Sequence, residues 1–470
     1  MMHETQPLAA IHVDDTEPAA RVPVPAPKAL SRKSIFLILF AALLVNTAIV
    51  LVGLPKVTRP LALTYSMNFG DLYDLIAKNL EQGNGYRVDA NMSLTMLREP
   101  GYPLFLAAVF KLGGYGIQTA RVACVLLAFG AALMLLQLAR KITSDAMTAL
   151  SAALLFLLYP GTLVAEARAG IEIPFIFTVI LFMLALYSAV EKRSLLRYWA
   201  AGLLLGVAVM VRSQVLLFPL LLLVYLVFAS KNASERVKIV LRIAALGLGT
   251  MLVMSPWIIR NYRLVHKLIP SATVAGVAAQ EGLYTCENAS AGEPFFLAQT
   301  EAGLERAQLA RQLGMPFVGT YYQLFYSPQD EVTFNQALLR GVSTEYHSHP
   351  ELLAKCAAKN LLFNFWFLGK RQQSTLLNMV VQAPLLGLAL AGVVVLWKRG
   401  LLRKTDIVLL YIFYIPVVQA PIIAHARHSM MIVPYLAILG AVSLVSGWRA
   451  LRMQNFGAPS QQTVAASGGE

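Results

Sequence analysis

The sequence predicts an all-α integral membrane protein with about ten transmembrane helices. Three observations carry this. The 470 residues are 57% hydrophobic and only 14% charged. Mean hydropathy is +0.61, far outside the range of soluble domains. Apolar runs recur at a length near the ~20 residues that cross a hydrocarbon core, and they lack the alternation of a β-barrel strand.

The spans are expected at 34–54, 118–138, 147–159, 171–190, 199–211, 215–230, 239–259, 379–397, 407–422 and 431–448. The run 34–54 follows a long polar tail without a small-residue cleavage site, so it reads as an anchor rather than a removed signal. The formal charge of +14 comes from 39 Lys and Arg against 25 Asp and Glu. It is not one patch, as a nucleic-acid surface would require. It recurs at 32–33, 140–141, 192–197, 231–238, 398–404 and 449–452, and the positive-inside rule puts those short loops in the cytoplasm with both termini.

This organisation gives a disordered cytoplasmic tail at 1–33 and a transmembrane domain at 34–259 that contains a first outer loop, 55–115. An extracytoplasmic segment follows at 260–377, then further spans at 378–448 and a cytoplasmic tail at 449–470. Within the outer segment, 302–313 and 330–346 show helical spacing of apolar positions. Of the three cysteines, Cys286 and Cys356 fall together in this segment. They are read as free thiols, with pairing as the alternative.

Candidate chemistry gathers on the outer side. In Asn68-Phe-Gly-Asp71-Leu-Tyr-Asp74-Leu-Ile-Ala-Lys78, apolar positions repeat at helical spacing, which makes an amphipathic surface helix ending near Gly83. Asp74 precedes Lys78 by four residues, the favourable order for a surface pair. Asp71 lacks such a partner, and a helix-capping role and a chemical role stand level for it. Arg98-Glu-Pro-Gly-Tyr-Pro103 reads as a rigid turn into a helix. Its charges either orient an anionic headgroup or, as the plainer reading has it, face water.

Arg260 and Arg263 end the span 239–259, and Arg168, Arg212 and His425-Ala-Arg427-His428 share that side. One arginine there snorkels by default. Several on one face suit phosphate, which prefers the forked guanidinium. Glu166 and Glu172 lie in the next outer loop, Glu172 at a helix start, and an acid at membrane depth is a functional candidate. The sequence carries no phosphate loop of the Walker type, no H-E-x-x-H, no G-x-S-x-G and no paired C-x-x-C.

Taken in order, several motifs resemble the GT-C glycosyltransferases, closest to the protein O-mannosyltransferases and lipid A aminoarabinose transferases. They are Gly70-Asp71-Leu-Tyr73, Ala77-Lys-Asn-Leu80 with Gly83 and Gly85, and Arg98-Glu-Pro-Gly-Tyr-Pro103. Gly206-Val-Ala-Val-Met-Val-Arg212, Pro256-Trp-Ile-Ile-Arg-Asn-Tyr262, and Arg427 with Pro434 extend the likeness along the chain. The resemblance implies a GT-C-like bundle with outer juxtamembrane helices and a small extracytoplasmic helical segment. It also implies an inverting transfer of a monosaccharide from a polyprenyl-phosphate carrier to a cell-envelope acceptor: lipid, glycan or protein. Asp71 becomes the catalytic residue. Arg98, Arg260 and Arg427 become the donor-phosphate ligands, and Asp74, Glu99, Glu166 and Glu172 the supporting acids.

The implied setting is the bacterial inner membrane, with the site facing the periplasm. Partners are the lipid-linked sugar, the acceptor and membrane lipid, and not nucleic acid. The one cofactor admitted is a divalent metal. Many relatives carry an Asp-Glu pair where this chain has Asp71-Leu72, which withholds one carboxylate from such an ion. A multi-span transporter and a polysaccharide polymerase or ligase using polyprenyl-diphosphate substrates are the alternatives. The first predicts mid-membrane charges and two similar halves; the second does not need Asp71 as a base.

Overall fold

A computed structural model describes residues 31–55, 71–288, 295–319, 322–366, 375–423 and 426–456. Residues 1–30 of the expected N-terminal tail, residues 457–470 of the C-terminal one, Asn68, Gly70 and His425 lie outside the described residues, and Arg32 and Lys33, expected in the first tail, begin the first helix.

The first helix, α1 (Arg32–Ala48), continues through a π-helical turn (Ile49–Gly53). It starts where the Ser31 hydroxyl accepts the Ser34 N–H at 3.0 Å, an N-terminal cap that satisfies one orphan donor. The short helix α2 (Tyr73–Glu81) and α3 (Gly101–Gly113) precede the mostly apolar run α4 (Ile117–Thr143), α5 (Ala146–Leu157), α6 (Pro160–Ala167), α7 (Glu172–Lys192), α8 (Leu195–Val211), α9 (Phe218–Ala229) and α10 (Ala233–Val265). The segment expected to lie outside, called the outer segment below, holds α11 (Val274–Asn288), α12 (Phe295–Gln312), α13 (Pro328–Ser348) and α14 (Pro350–Trp366). Between α12 and α13, β1 (Phe317–Val318) pairs antiparallel with β2 (Leu324–Phe325). The chain closes with α15 (Thr375–Lys398), α16 (Asp406–Gln419) and α17 (Val433–Phe456).

A helix occupies each of the ten expected spans, but their lengths differ. Among the described residues six helices are long and apolar enough to cross a membrane. These are α1 with its continuation, α4, α7, α10, α15 and α17. The pair α5 and α6, bent by 47° at a short break, makes a seventh. Pro160 causes that break: it stands at the start of α6, where its missing N–H costs nothing and it cannot continue the preceding helix. The expected spans at 199–211 and 215–230 are shorter apolar helices.

Small residues let the helices approach closely, as membrane bundles require when apolar burial no longer separates protein from solvent. Helices α8 and α10 pack the most extensively. At Gly202 an added Cβ would stand 2.0 Å from the Leu246 carbonyl oxygen, and at Gly249 2.3 Å from that of Trp199. The outer segment has its own small core of Val277, Ala310, Phe325, Phe334 and Leu338. Cys286 and Cys356 are joined in a disulfide with Cα atoms 5.7 Å apart, which corrects the reading as free thiols. The 70-residue separation concealed that α11 and α14 lie side by side.

Candidate active site

Outside the membrane helices, α2 lies where its apolar face meets the bundle: Ile76 and Ala77 are fully buried. It ends as expected near Gly83, whose positive φ of 80° only glycine adopts without cost. Asp71 and Leu72 just before it also have positive φ, 50° and 73°. Two consecutive non-glycine residues in that region cost roughly 1–3 kcal/mol each. Leu72, not Asp71, is the residue that caps α2, and it makes no side-chain cap bond. The backbone therefore turns the Asp71 carboxylate away from its own helix.

That carboxylate meets Arg427, whose Nη1 donates to Asp71 Oδ2 at 2.6 Å. Arg427 sits in a 3₁₀ turn (Ala426–Met431) just before α17. Its Nε is 3.9 Å from Glu172 Oε1, and Arg212 Nη1 approaches the same oxygen at 3.5 Å. Arg98 completes the group. Its Nε donates to the Asp71 backbone carbonyl at 3.1 Å and its Nη2 to the Tyr322 hydroxyl at 2.5 Å, and the guanidinium lies between the Tyr73 and Tyr322 rings. Asp71 and Glu172 hold Arg427 well above the usual arginine range. Burial pushes the Tyr322 hydroxyl up, opposed by the Arg98 charge. Asp71 and Arg427 keep 31% and 42% of their side chains accessible, whereas Glu172 keeps 6%. A pair this accessible contributes at most about 1 kcal/mol to folding, too little to balance the strained backbone beneath it.

Arg98 and Glu99 are buried rather than facing water. Glu99 Oε1 accepts the Ser213 hydroxyl at 2.7 Å, and Tyr86 donates to the Arg98 and Glu99 carbonyls at 2.9 and 3.1 Å. The expected Asp74 and Lys78 pair is replaced. Asp74 is fully buried and accepts the Tyr115 hydroxyl at 3.0 Å, while Lys78 stands over the Tyr115 ring. Burial lifts the Asp74 carboxyl above its ordinary value. Glu166 accepts from Asn46 Nδ2 at 3.1 Å, between α1 and α6.

Arg260 occupies a second position. Its Nη1 donates to the Thr95 carbonyl and the Asn261 side chain, both at 2.9 Å, and its guanidinium stacks on Trp257. Beside it a cavity of about 660 Å3 runs among membrane helices. Leu104, Phe105, Leu127, Phe177, Val207 and Met210 line it, together with Tyr86 and Arg260. The Arg260 Nη2 atom is buried without a hydrogen-bond partner. The structure thus brings together Asp71, Arg98, Arg427 and Glu172, and sets Arg260 in the lining of an apolar cavity.

Sequence reasoning missed Tyr322, which covers Arg98 from the outer segment, and Glu331, which holds the strip before Arg98. Neither falls at a motif spacing. Among the described residues no three His, Cys, Asp or Glu side chains group as metal ligands.

The family model of dolichyl-phosphate-mannose-protein mannosyltransferases matches residues 98–259, from Arg98 to the residue before Arg260. Among solved structures, the apo oligosaccharyltransferase of Archaeoglobus fulgidus aligns with a TM-score of 0.54 at 15% identity. The alignment covers 92% of this chain and 53% of that one, so this chain spans about half its length. ArnT from Cupriavidus metallidurans bound to undecaprenyl phosphate aligns at 0.37 and 16% identity, covering 90% and 80%. No curated protein sequence matches the chain significantly. Residues 98–259 are thus similar to that family, and the fold is shared with the archaeal oligosaccharyltransferase.

Proposed function

We propose that the chain is an inverting glycosyltransferase. It moves a monosaccharide from a polyprenyl phosphate to a cell-envelope acceptor at the outer face of a bacterial cytoplasmic membrane. The observation that carries this reading is the accessible Asp71 carboxylate held in left-handed backbone against Arg427 and beside Arg98. A base and cations for a leaving phosphate are what glycosyl transfer from a lipid phosphate requires. The description of the matching family, which names a sugar on dolichyl phosphate, supports the donor class.

In the reaction, the acceptor hydroxyl attacks the anomeric carbon from the face opposite the phosphate. The carbon–oxygen bond to phosphate breaks as the new glycosidic bond forms, and the hydroxyl proton passes to Asp71. The phosphate leaves with the bonding pair, its charge met by Arg98, Arg427 and the free arm of Arg260. Arg427 exchanges Asp71 for the phosphate as the donor enters, which frees the carboxylate to act as base. The prenyl chain lies in the apolar cavity that Arg260 helps to line. Glu172 keeps Arg427 aimed at the site, and Glu99 holds the turn against Ser213. Asp74 and Glu166 serve the fold.

Two features support an external, oxidising compartment: the disulfide in the outer segment and the basic loops on the opposite side. The test is Asp71→Asn, assayed with a purified polyprenyl-phosphate sugar. Transfer should fall at least about a hundredfold, in the range reported for loss of a general base, while the protein elutes as wild type. Near wild-type turnover would remove Asp71 from the mechanism and with it this reading.

A further inference from the structure

A buried carboxylate lies outside the Asp71 group and is not used by the transfer chemistry. Glu331, in the first turn of α13, is 8% exposed. Its Oε2 accepts the Thr95 hydroxyl at 2.6 Å and its Oε1 accepts the Met96 N–H at 2.9 Å. The Thr273 hydroxyl donates to Oε1 as well, and the Thr273 N–H donates to the Met96 carbonyl at 2.9 Å. A carboxylate accepting three donors inside a protein is a strong tie, because each charge-assisted bond is about twice as strong as a neutral one.

What the tie holds matters more than its strength. Thr95 is a node. Its carbonyl accepts Arg260 Nη1 at 2.9 Å, and its hydroxyl accepts the Leu97 N–H at 2.9 Å, fixing the turn that delivers Arg98 one residue later. Its own N–H reaches the Tyr86 carbonyl at 2.9 Å. Glu331 touches neither arginine, yet both depend on the strip that it grips. The strip belongs to the first outer loop and Glu331 to the outer segment, 236 residues further on.

We propose that Glu331 is the positioning residue of the donor site: by gripping Thr95 and Met96 it sets Arg260 and Arg98 where they meet one lipid phosphate. The proposal rests on the glycosyl-transfer reading for its donor but not for its geometry. Burial raises the Glu331 carboxyl against the pull of its three donors and of the Arg260 charge.

The experiment is a double-mutant cycle on the full-length protein in detergent, reading the Kd for undecaprenyl phosphate by native mass spectrometry. Glu331→Ala should weaken binding about tenfold, and Arg98→Ala and Arg260→Ala should each do likewise. In a background lacking both arginines Glu331→Ala should add less than about twofold, because the cations it acts through are already removed, and with one arginine left its effect should shrink but persist through the other. A merely structural residue would instead multiply with both. Full multiplication, or unchanged affinity in Glu331→Ala, overturns the proposal.

If Glu331→Ala does not fold, Thr273→Val and Glu331→Gln each disturb a single bond and should weaken binding about threefold; unchanged affinity in both overturns it equally. Asp71→Asn separates the two readings. Turnover retained by that variant sinks glycosyl transfer through Asp71 and leaves the cycle intact, since the cycle reads only lipid binding.

Discussion

Asp71 and Asp74 are three residues apart and show how little residue type alone decides. Asp71 precedes α2 on a strained turn and faces Arg427; Asp74 lies one turn on, fully buried, and accepts the Tyr115 hydroxyl. Burial raises the Asp74 carboxyl, so the folded protein holds that proton more tightly than the unfolded chain does. The folded state then binds more protons over the window from the ordinary Asp value of 3.8 up to the raised one. Stability therefore falls as pH rises through that window and stays lower above it. Asp74→Asn keeps an acceptor for Tyr115 and removes the ionisation. Its melting temperature should exceed wild type at pH 7.5 and coincide with it near pH 4, while transfer stays within about threefold of wild type. A loss of transfer as deep as that of Asp71→Asn would return Asp74 to the chemistry.

At the scale of elements, the cavity among α3, α4, α7, α8 and α10 tests whether the bundle holds a lipid chain. Val207, on α8, lines it and is 42% exposed, so a larger side chain enters the cavity without colliding with core on every side. Val207→Trp should raise the donor KM about tenfold and leave kcat within about threefold, the mark of lost uniform binding. An unchanged KM would put the prenyl chain elsewhere. The helices around this cavity were legible in the sequence because apolar length and Lys/Arg loops are local signals. So was the turn at Arg98, from its prolines. Tyr322 on Arg98, Glu331 on Thr95 and the Cys286–Cys356 bond were not. Each joins residues that only the folding of the outer segment brings together, and a single sequence encodes no sign of such pairings. The exchange of the Asp74 and Lys78 pair for Tyr115 has the same origin. Helical spacing puts both on one face, but it does not tell that a tyrosine beyond α3 will stand between them.

For the whole molecule, the reading requires Asp71, the outer segment and the disulfide to share one side of the membrane, opposite the basic loops. The contacts make the first half of that requirement local: Tyr322 and Glu331 of the outer segment touch Arg98 and Thr95 directly. The second half concerns compartment, and the cysteines supply a clean probe. Cys286 and Cys356 are bonded to each other and Cys124 is fully buried, so a maleimide reports on an added thiol without removal of the native ones. Gln312→Cys stands on an exposed end of α12, and Lys231→Cys in an exposed basic loop between α9 and α10. In spheroplasts a membrane-impermeant maleimide should label Gln312→Cys at once and Lys231→Cys only after permeabilisation. The reverse pattern would turn the Asp71 site toward the cytoplasm, where reducing conditions oppose a disulfide and the positive-inside rule is violated at every basic loop. Labelling of both in sealed spheroplasts would mean that the two loops do not lie on opposite faces, and the ordering of spans from α9 to α12 would have to change.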